Sequence, residues 1–220
     1  MSSLNRNTPS QPLIGVLALQ GDFAEHIHML GEIGVHAVEV RKVEQLFEID
    51  GLIIPGGEST TIVKLLMRFG FVDQLRSRVE SGMALWGTCA GMIVIARELT
   101  DSYPTPLNLL DIGVSRNYFG RQVDSFEAEI DIEGIDGEAM RAVFIRAPVV
   151  SDVGDGVVKI ASLDDGQAVA VKKGRVLASS FHPELTTDTR MHSLFVELAR
   201  EGQIDTLNPT RNAEEISNTA

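Results

Sequence analysis

The chain has 220 residues, 44% of them hydrophobic, with a formal net charge of −12 and one cysteine. That length fills one core well and is tight for two. The acidic balance argues against a nucleic-acid backbone as the main partner, a lone cysteine excludes an internal disulfide framework and suits a reducing, cytoplasmic setting, and no apolar run approaches the roughly 20 residues that a membrane span needs.

In chain order, residues 1–11 are polar, rich in Ser, Asn and Pro, and are expected to be loose. Residues 13–19 are a nearly unbroken apolar run, the pattern of a strand buried on both faces; Gln20-Gly21-Asp22 follows with no small-residue cleavage site, so the run is not a signal core. Residues 22–33 carry Phe23, Ile27, Leu30 and Ile33 at helical spacing. Strands are expected at 37–40 and 52–54, the latter ending on Pro55-Gly56-Gly57-Glu58-Ser59. Ser59 is placed as the N-cap of a helix through Phe69. A helix over 72–80 and a fourth strand at 83–86 lead to Gly87-Thr88-Cys89-Ala90-Gly91, and residues 90–97 form a buried helix. This alternation calls for a parallel sheet with helices on both faces. Ligands in such sheets sit at the carboxyl ends of the strands, where Gly56-Gly57 and Cys89 both fall.

From 111 to 181 the pattern changes to short strands with Gly and Asp turns, at 123–132, 142–145, 157–161, 168–171 and 176–179. These are expected to form an antiparallel addition to the sheet, not a second domain. A closing helix over 189–200 carries Met191, Leu194, Phe195 and Leu198, and the polar residues 202–220 are expected to be a flexible tail. The single domain is accordingly placed at 12–201.

Glycines two residues before and two after Cys89 make a G-x-nucleophile-x-G elbow, with sulfur where hydrolases carry a serine hydroxyl. Small neighbours let the chain turn sharply from strand into helix. A thiol at a helix N-terminus meets the macrodipole and free N–H groups, which favour the thiolate. The competing reading is a small buried hydrophobe, the commonest role of a free cysteine.

A cysteine nucleophile needs a base, a group to orient the base and donors for the oxyanion. Of the five histidines, His26 and His28 lie two apart on the first helix and are expected at the surface, while His36 and His192 carry no second signal. His182 opens His182-Pro183-Glu184. In an extended segment residues i and i+2 project to one side, and Pro183 pushes His182 toward extended geometry. Glu184 can then hold one tautomer while the other ring nitrogen faces the thiol; otherwise the pair is a strand-end histidine beside a solvated carboxylate. The N–H groups of Gly57 and Ala90 are candidate oxyanion donors, although Gly56-Gly57 also suits a plain turn. That turn lacks the spacing and lysine of a phosphate loop, and no cysteine or histidine cluster has zinc spacing.

Gly-Thr-Cys-Ala-Gly followed by His-Pro-Glu resembles the class I (triad) glutamine amidotransferases. Further stretches narrow the match: residues 15–21 (GVLALQG), 55–61 (PGGESTT), 116–122 (RNYFGRQ), 125–127 (SFE) and 144–148 (FIRAP). Together they resemble the glutaminase subunits of pyridoxal 5′-phosphate synthases over about residues 13–200. The resemblance implies a three-layer, flavodoxin-like α/β fold whose mostly parallel central sheet has an antiparallel addition. It implies hydrolysis of L-glutamine to L-glutamate and ammonia through a thioester. Cys89 would attack the side-chain amide carbon, His182 would carry the proton, Glu184 would orient His182, and Gly57 and Ala90 would form the oxyanion hole. Gly57, Glu58, Ser59, Arg116, Ile145 and Arg146 would bind glutamine; guanidinium groups suit the α-carboxylate and Glu58 the α-ammonium. The resemblance also implies a synthase (lyase) subunit that takes the ammonia through a tunnel for vitamin B6 biosynthesis, in a large hetero-oligomer, and it puts Gln20 near that contact. Because the synthase does the carbon chemistry, this chain is expected to need no metal and no cofactor. Two other readings stay open: a glutaminase serving another synthase, and a non-enzymic doubly wound binding module.

Overall fold

The computed structural model describes residues 11–101, 103–116 and 125–207, with side chains through Gln203. The first half alternates as its apolar periodicity requires: β1 (Ile14–Leu17), α1 (Phe23–Glu32), β2 (Ala37–Val40), a 3-10 turn (Val43–Phe47), β3 (Gly51–Ile54), α2 (Ser59–Arg68), α3 (Phe71–Glu80), β4 (Ala84–Thr88) and α4 (Ala90–Ile95). The second half runs β5 (Ala96–Leu99), β6 (Leu110–Ser115), β7 (Ser125–Ile130), β8 (Met140–Ile145), β9 (Val149–Val153), β10 (Val158–Ser162), β11 (Ala168–Lys173), β12 (Val176–Ser179), a 3-10 turn (Pro183–Leu185) and α5 (Arg190–Leu207).

The central sheet has the order β10-β11-β12-β4-β3-β1-β2. Strands β2, β1, β3, β4 and β12 pair in parallel, and β11 and β10 add antiparallel at one edge. Alternate residues of the inner strands point to opposite faces and are buried on both. Along β3 and β4, Leu52, Ile54 and Leu85 join the core under α2, α3 and α4, with Ile62, Leu66, Leu75 and Met92. Ile53, Ala84 and Trp86 join the core under α1 and α5, with Leu30, Met191 and Phe195. Each large apolar side chain fully buried in these layers contributes roughly 1.5–3 kcal/mol. The result is a helix–sheet–helix α/β fold of the flavodoxin type, as expected.

The second half departs from expectation in places. Only β10, β11 and β12 extend the central sheet, and β12 does so in parallel beside β4. Strands β5, β6 and β9 make a separate three-stranded sheet, and β7 and β8 a hairpin of their own. The helix foreseen over 90–97 stops at Ile95, because Ala96 takes an extended conformation (φ −56°, ψ 159°) and opens β5. Helix α5 continues to Leu207, past Glu201, where the sequence reading ended the domain. Among the described residues, no helix is long and apolar enough to cross a membrane.

Candidate active site

β4 ends at Thr88, and Cys89 turns the chain into α4 with φ 47° and ψ −104°. A non-glycine residue there carries backbone strain of about 1–3 kcal/mol, which the surroundings must hold. They do so by hydrogen bonds: Cys89 N–H donates to the Ser179 carbonyl of β12 at 2.8 Å, and the Cys89 carbonyl accepts from Met92 N–H at 3.1 Å. The flanking glycines are sterically required. A Cβ on Gly91 would lie 2.0 Å from the Ile54 carbonyl oxygen, and one on Gly87 2.6 Å from the Gly91 carbonyl. Cys89 is 7% exposed, and its Sγ lies 3.8 Å from the Ile145 carbonyl oxygen.

His182 follows β12, anchored by its N–H to the Val143 carbonyl at 2.8 Å. The chain does not stay extended past it: Pro183–Leu185 is a 3-10 turn. The expected pairing is nonetheless made, because the longer Glu184 side chain curls back and Oε1 meets His182 Nδ1 at 2.7 Å. A carboxylate at Nδ1 puts the proton on that nitrogen and turns Nε2 toward the thiol. Burial alone would lower His182; its hydrogen bonds to Cys89 and Glu184, and the charge on both, outweigh burial and push it up to about 10. Burial pushes the Glu184 carboxyl up, against the hydrogen bond from His182. Gly56 leaves room for the ring, since a Cβ there would stand 2.4 Å from His182 Cε1.

Cys89 and His182 open into a cleft of about 450 Å³. Gly57, Glu58, Ser59, Ala90, Arg116, Ile145 and Arg146 line it, so the structure brings together every residue that the sequence placed at the site, with Glu184 just behind His182. Residues 117–122 of the quoted 116–122 stretch, and the expected strand start at 123–124, lie outside the described residues. Ser59 is not the N-cap of α2; it is the first helical residue, and Glu58 caps, its carboxylate accepting from Thr60 N–H at 3.2 Å and Thr60 Oγ1 at 2.9 Å. The Thr60 hydroxyl chiefly, helped by Arg116 and Arg146, holds the Glu58 carboxyl below its usual range. One anion facing two guanidinium groups matches the two charges of a free α-amino acid. Arg116 is oriented by donating to the Tyr103 carbonyl at 2.6 Å, and Arg146 sits at φ 43°.

Three lining residues, Gln20, Asp22 and Ile93, were not named as site residues from the sequence, although Gln20 was placed near the partner contact. Gln20 Oε1 accepts from Glu58 N–H at 2.7 Å and so ties the Gly57-Glu58 turn to the loop between β1 and α1. Asp22 Oδ2 stands 3.8 Å from His182 Nδ1. Asp22, His182 and Glu184 bring one donor atom each within 4.8 Å of one another. A cation there would have to displace the Nδ1 proton that Glu184 holds.

The largest correction lies behind Glu184. His26, expected at the surface, is fully buried, and so is His192. His26 shares the α1 face of Leu30 and Ile33 at i, i+4 and i+7, a spacing that could have revealed it.

The family model described as "SNO glutamine amidotransferase family" matches residues 16–201. The pyridoxal 5′-phosphate synthase subunit PdxT of Dehalococcoides mccartyi is 56% identical over 189 residues, covering 85% of this chain and 97% of the relative. The subunit of the same name from Rhodococcus jostii is 51% identical over 199 residues, covering 87% and 98%. A crystal structure titled glutamine amidotransferase superposes with a TM-score of 0.80 at 52% identity, covering 84% of this chain and 98% of the other.

Proposed function

The chain belongs to the SNO glutamine amidotransferase family, and from that premise we propose how its cleft works. It is a glutamine-hydrolysing amidotransferase, the glutaminase subunit of pyridoxal 5′-phosphate synthase. The substrate's α-carboxylate lies between Arg116 and Arg146 and its α-ammonium against Glu58, which leaves the side-chain amide over Cys89. Sγ attacks the amide carbon. The developing oxyanion is met by the N–H groups of Gly57 and Ala90; Ala90 opens α4, so its N–H has no partner within the helix. One such donor contributes roughly 2.7–4 kcal/mol to the transition state. His182, protonated at neutral pH, gives its proton to the departing ammonia. As a base it then draws a proton from the water that opens the thioester, releasing L-glutamate and restoring the pair. Glu184 keeps the ring aimed throughout.

Residues 12–201 serve as the single amidotransferase domain, and the ammonia passes to a synthase (lyase) subunit within a cytoplasmic hetero-oligomer. The tie from Gln20 to Glu58 N–H supports a coupled oxyanion hole: docking at Gln20 moves the turn carrying Gly57, so the free subunit is weakly active. The observation that carries the reading is Cys89 held at positive φ beside the His182–Glu184 pair, in a cleft whose charges complement an amino acid. Ammonia release from L-glutamine, by the chain and by Cys89→Ala with and without the synthase subunit, tests it. Release that needs Cys89 and rises with the synthase is expected. Equal rates with and without the synthase would sink the coupling, and no release in either would sink the reaction.

A further inference from the structure

Glu184 offers two oxygens and the triad uses one. Oε1 accepts a hydrogen bond from His182 Nδ1–H. Oε2 is buried, makes no hydrogen bond of good geometry, and faces His26 Nε2 at 3.4 Å, both side chains being fully inaccessible. His26 Nε2 also lies 3.2 Å from the hydroxyl of Thr88, the residue before the nucleophile. On its other side, His26 Nδ1 meets His192 Nε2 of α5 at 2.9 Å. Trp86 walls the pair, its ring centroid 5.7 Å from that of His26 and 5.1 Å from that of His192. Four elements therefore meet at His26: α1, which carries it, β4 through Thr88, the Pro183–Leu185 turn through Glu184 and α5 through His192.

The chemistry of the contacts selects the protons. A buried carboxylate oxygen needs a donor, so His26 carries its proton on Nε2, shared between Glu184 Oε2 and the Thr88 hydroxyl oxygen, and Nδ1 is then an acceptor. The 2.9 Å contact requires His192 to donate from Nε2. That leaves a lone pair, not an N–H, at the unpartnered His192 Nδ1. Both rings are uncharged at neutral pH: burial first, then the repulsion that a positive ring would meet from a protonated His192 or His182, holds His26 well below its ordinary value, and burial holds His192 at about 4. An uncharged donor suits the place, because an imidazolium at His26 would compete with His182 for the charge of Glu184. The remaining charged group facing this end of the site is Asp22, 3.8 Å from His182 Nδ1.

We propose that His192 and His26 form a neutral donor relay that holds Glu184 Oε2, so that Glu184 stays ionised and aimed at His182; both are positioning residues of the glutaminase. The proposal rests on the reading of Cys89, His182 and Glu184 as the triad, and it extends that triad inward by two residues.

Two measurements test it. In the wild-type protein with 15N-labelled histidine, NMR at pH 7 is expected to show both His26 and His192 neutral with the proton on Nε2. A proton on His26 Nδ1, or a charged ring, overturns the relay whether or not the protein hydrolyses glutamine. In kinetics, His26→Leu is expected to lower kcat about tenfold or more, the usual loss for one hydrogen bond to a charged group, with KM little changed. Its alkaline limb of kcat moves to lower pH, because a less well-held Glu184 lets His182 lose its proton sooner. His26→Gln, whose amide N–H can replace the donor, restores much of kcat and the limb. A His26→Leu limb at the wild-type pH, or equal losses in both variants, reduces His26 to packing and overturns the proposal. If His26→Leu does not fold, the wild-type tautomers decide. If the wild-type protein releases no ammonia, the glutaminase reading fails while the tautomer result still stands.

Discussion

Replacing Gly56 with alanine should remove catalysis while leaving the fold largely in place. The new Cβ would stand 2.4 Å from His182 Cε1, 2.9 Å from its Nδ1 and 3.2 Å from Asp22 Oδ2. Carbon atoms rest at about 3.5–4.0 Å, so something must yield by about 1 Å. The turn cannot retreat easily: the Gly56 carbonyl accepts from Asp22 N–H at 3.2 Å, and Gly21 already packs so closely that a Cβ there would lie 1.9 Å from that carbonyl oxygen. The imidazole gives way instead, against its 2.7 Å bond to Glu184, and Nε2 swings off the line to Cys89. A displacement of about 1 Å costs on the order of 100-fold in rate. Overpacking costs about 1–3 kcal/mol. Part of that is offset because Gly56 is not in the left-handed region, so alanine also stiffens the unfolded chain, by about 0.4–1 kcal/mol. The assay is kcat for ammonia release beside a urea midpoint on the same preparation. Turnover within threefold of wild type would refute the steric reasoning, and so would a loss of activity that merely tracks unfolding.

Three further outcomes follow from the same geometry. Gly91→Ala, whose Cβ would meet the Ile54 carbonyl oxygen at 2.0 Å, should destabilise the protein by about 1–3 kcal/mol or more, seen as a lower urea midpoint; an unchanged midpoint contradicts the close β3–α4 packing. Arg146→Ala and Arg116→Ala should raise KM for glutamine more than they lower kcat, since they remove binding common to ground and transition states; a pure kcat effect would move them out of substrate binding. Stability should fall on acidification. His192 is held at about 4 when folded, against an ordinary histidine value of about 6.5; the unfolded chain therefore binds the proton first below pH 6.5, and stability is lost as pH falls toward 4. Over that window the loss approaches roughly 3 kcal/mol for His192. His26 acts in the same direction, while Glu184, raised by burial, opposes. His192→Phe should flatten the profile measured by urea midpoints from pH 7 to pH 5; an equally steep profile in the variant would assign the acid lability elsewhere.

The parts of this molecule legible in its sequence are those where one physical demand dominates. The runs that became β1, β3 and β4 are apolar because both faces are covered, and Gly87 and Gly91 flank Cys89 because no Cβ fits there. The family resemblance, not spacing, brought Arg116, Ile145 and Arg146 to the site. Other features turn on contacts between distant segments. Strands β5, β6 and β9 are short pieces of a small separate sheet, and no breaker separates α4 from β5, so residues 90–97 look like one helix. Glu58 displaced Ser59 as cap because its carboxylate reaches both Thr60 N and Thr60 Oγ1. His182 and Glu184 pair through a 3-10 turn and not an extended segment, so the expected contact formed by another route. His26 and His192 are hard to read from the sequence because their partners lie far along the chain; the two rings meet each other across 166 residues.

Covalent trapping at Cys89 would decide whether this thiol is the nucleophile. The protein, with its synthase subunit present, would be incubated at neutral pH with an electrophilic glutamine isostere and the adduct mapped by peptide mass. One adduct on Cys89, suppressed by L-glutamine and slowed in His182→Ala, is the expected result. No adduct, or labelling indifferent to both glutamine and His182, would contradict the Cys89–His182–Glu184 mechanism.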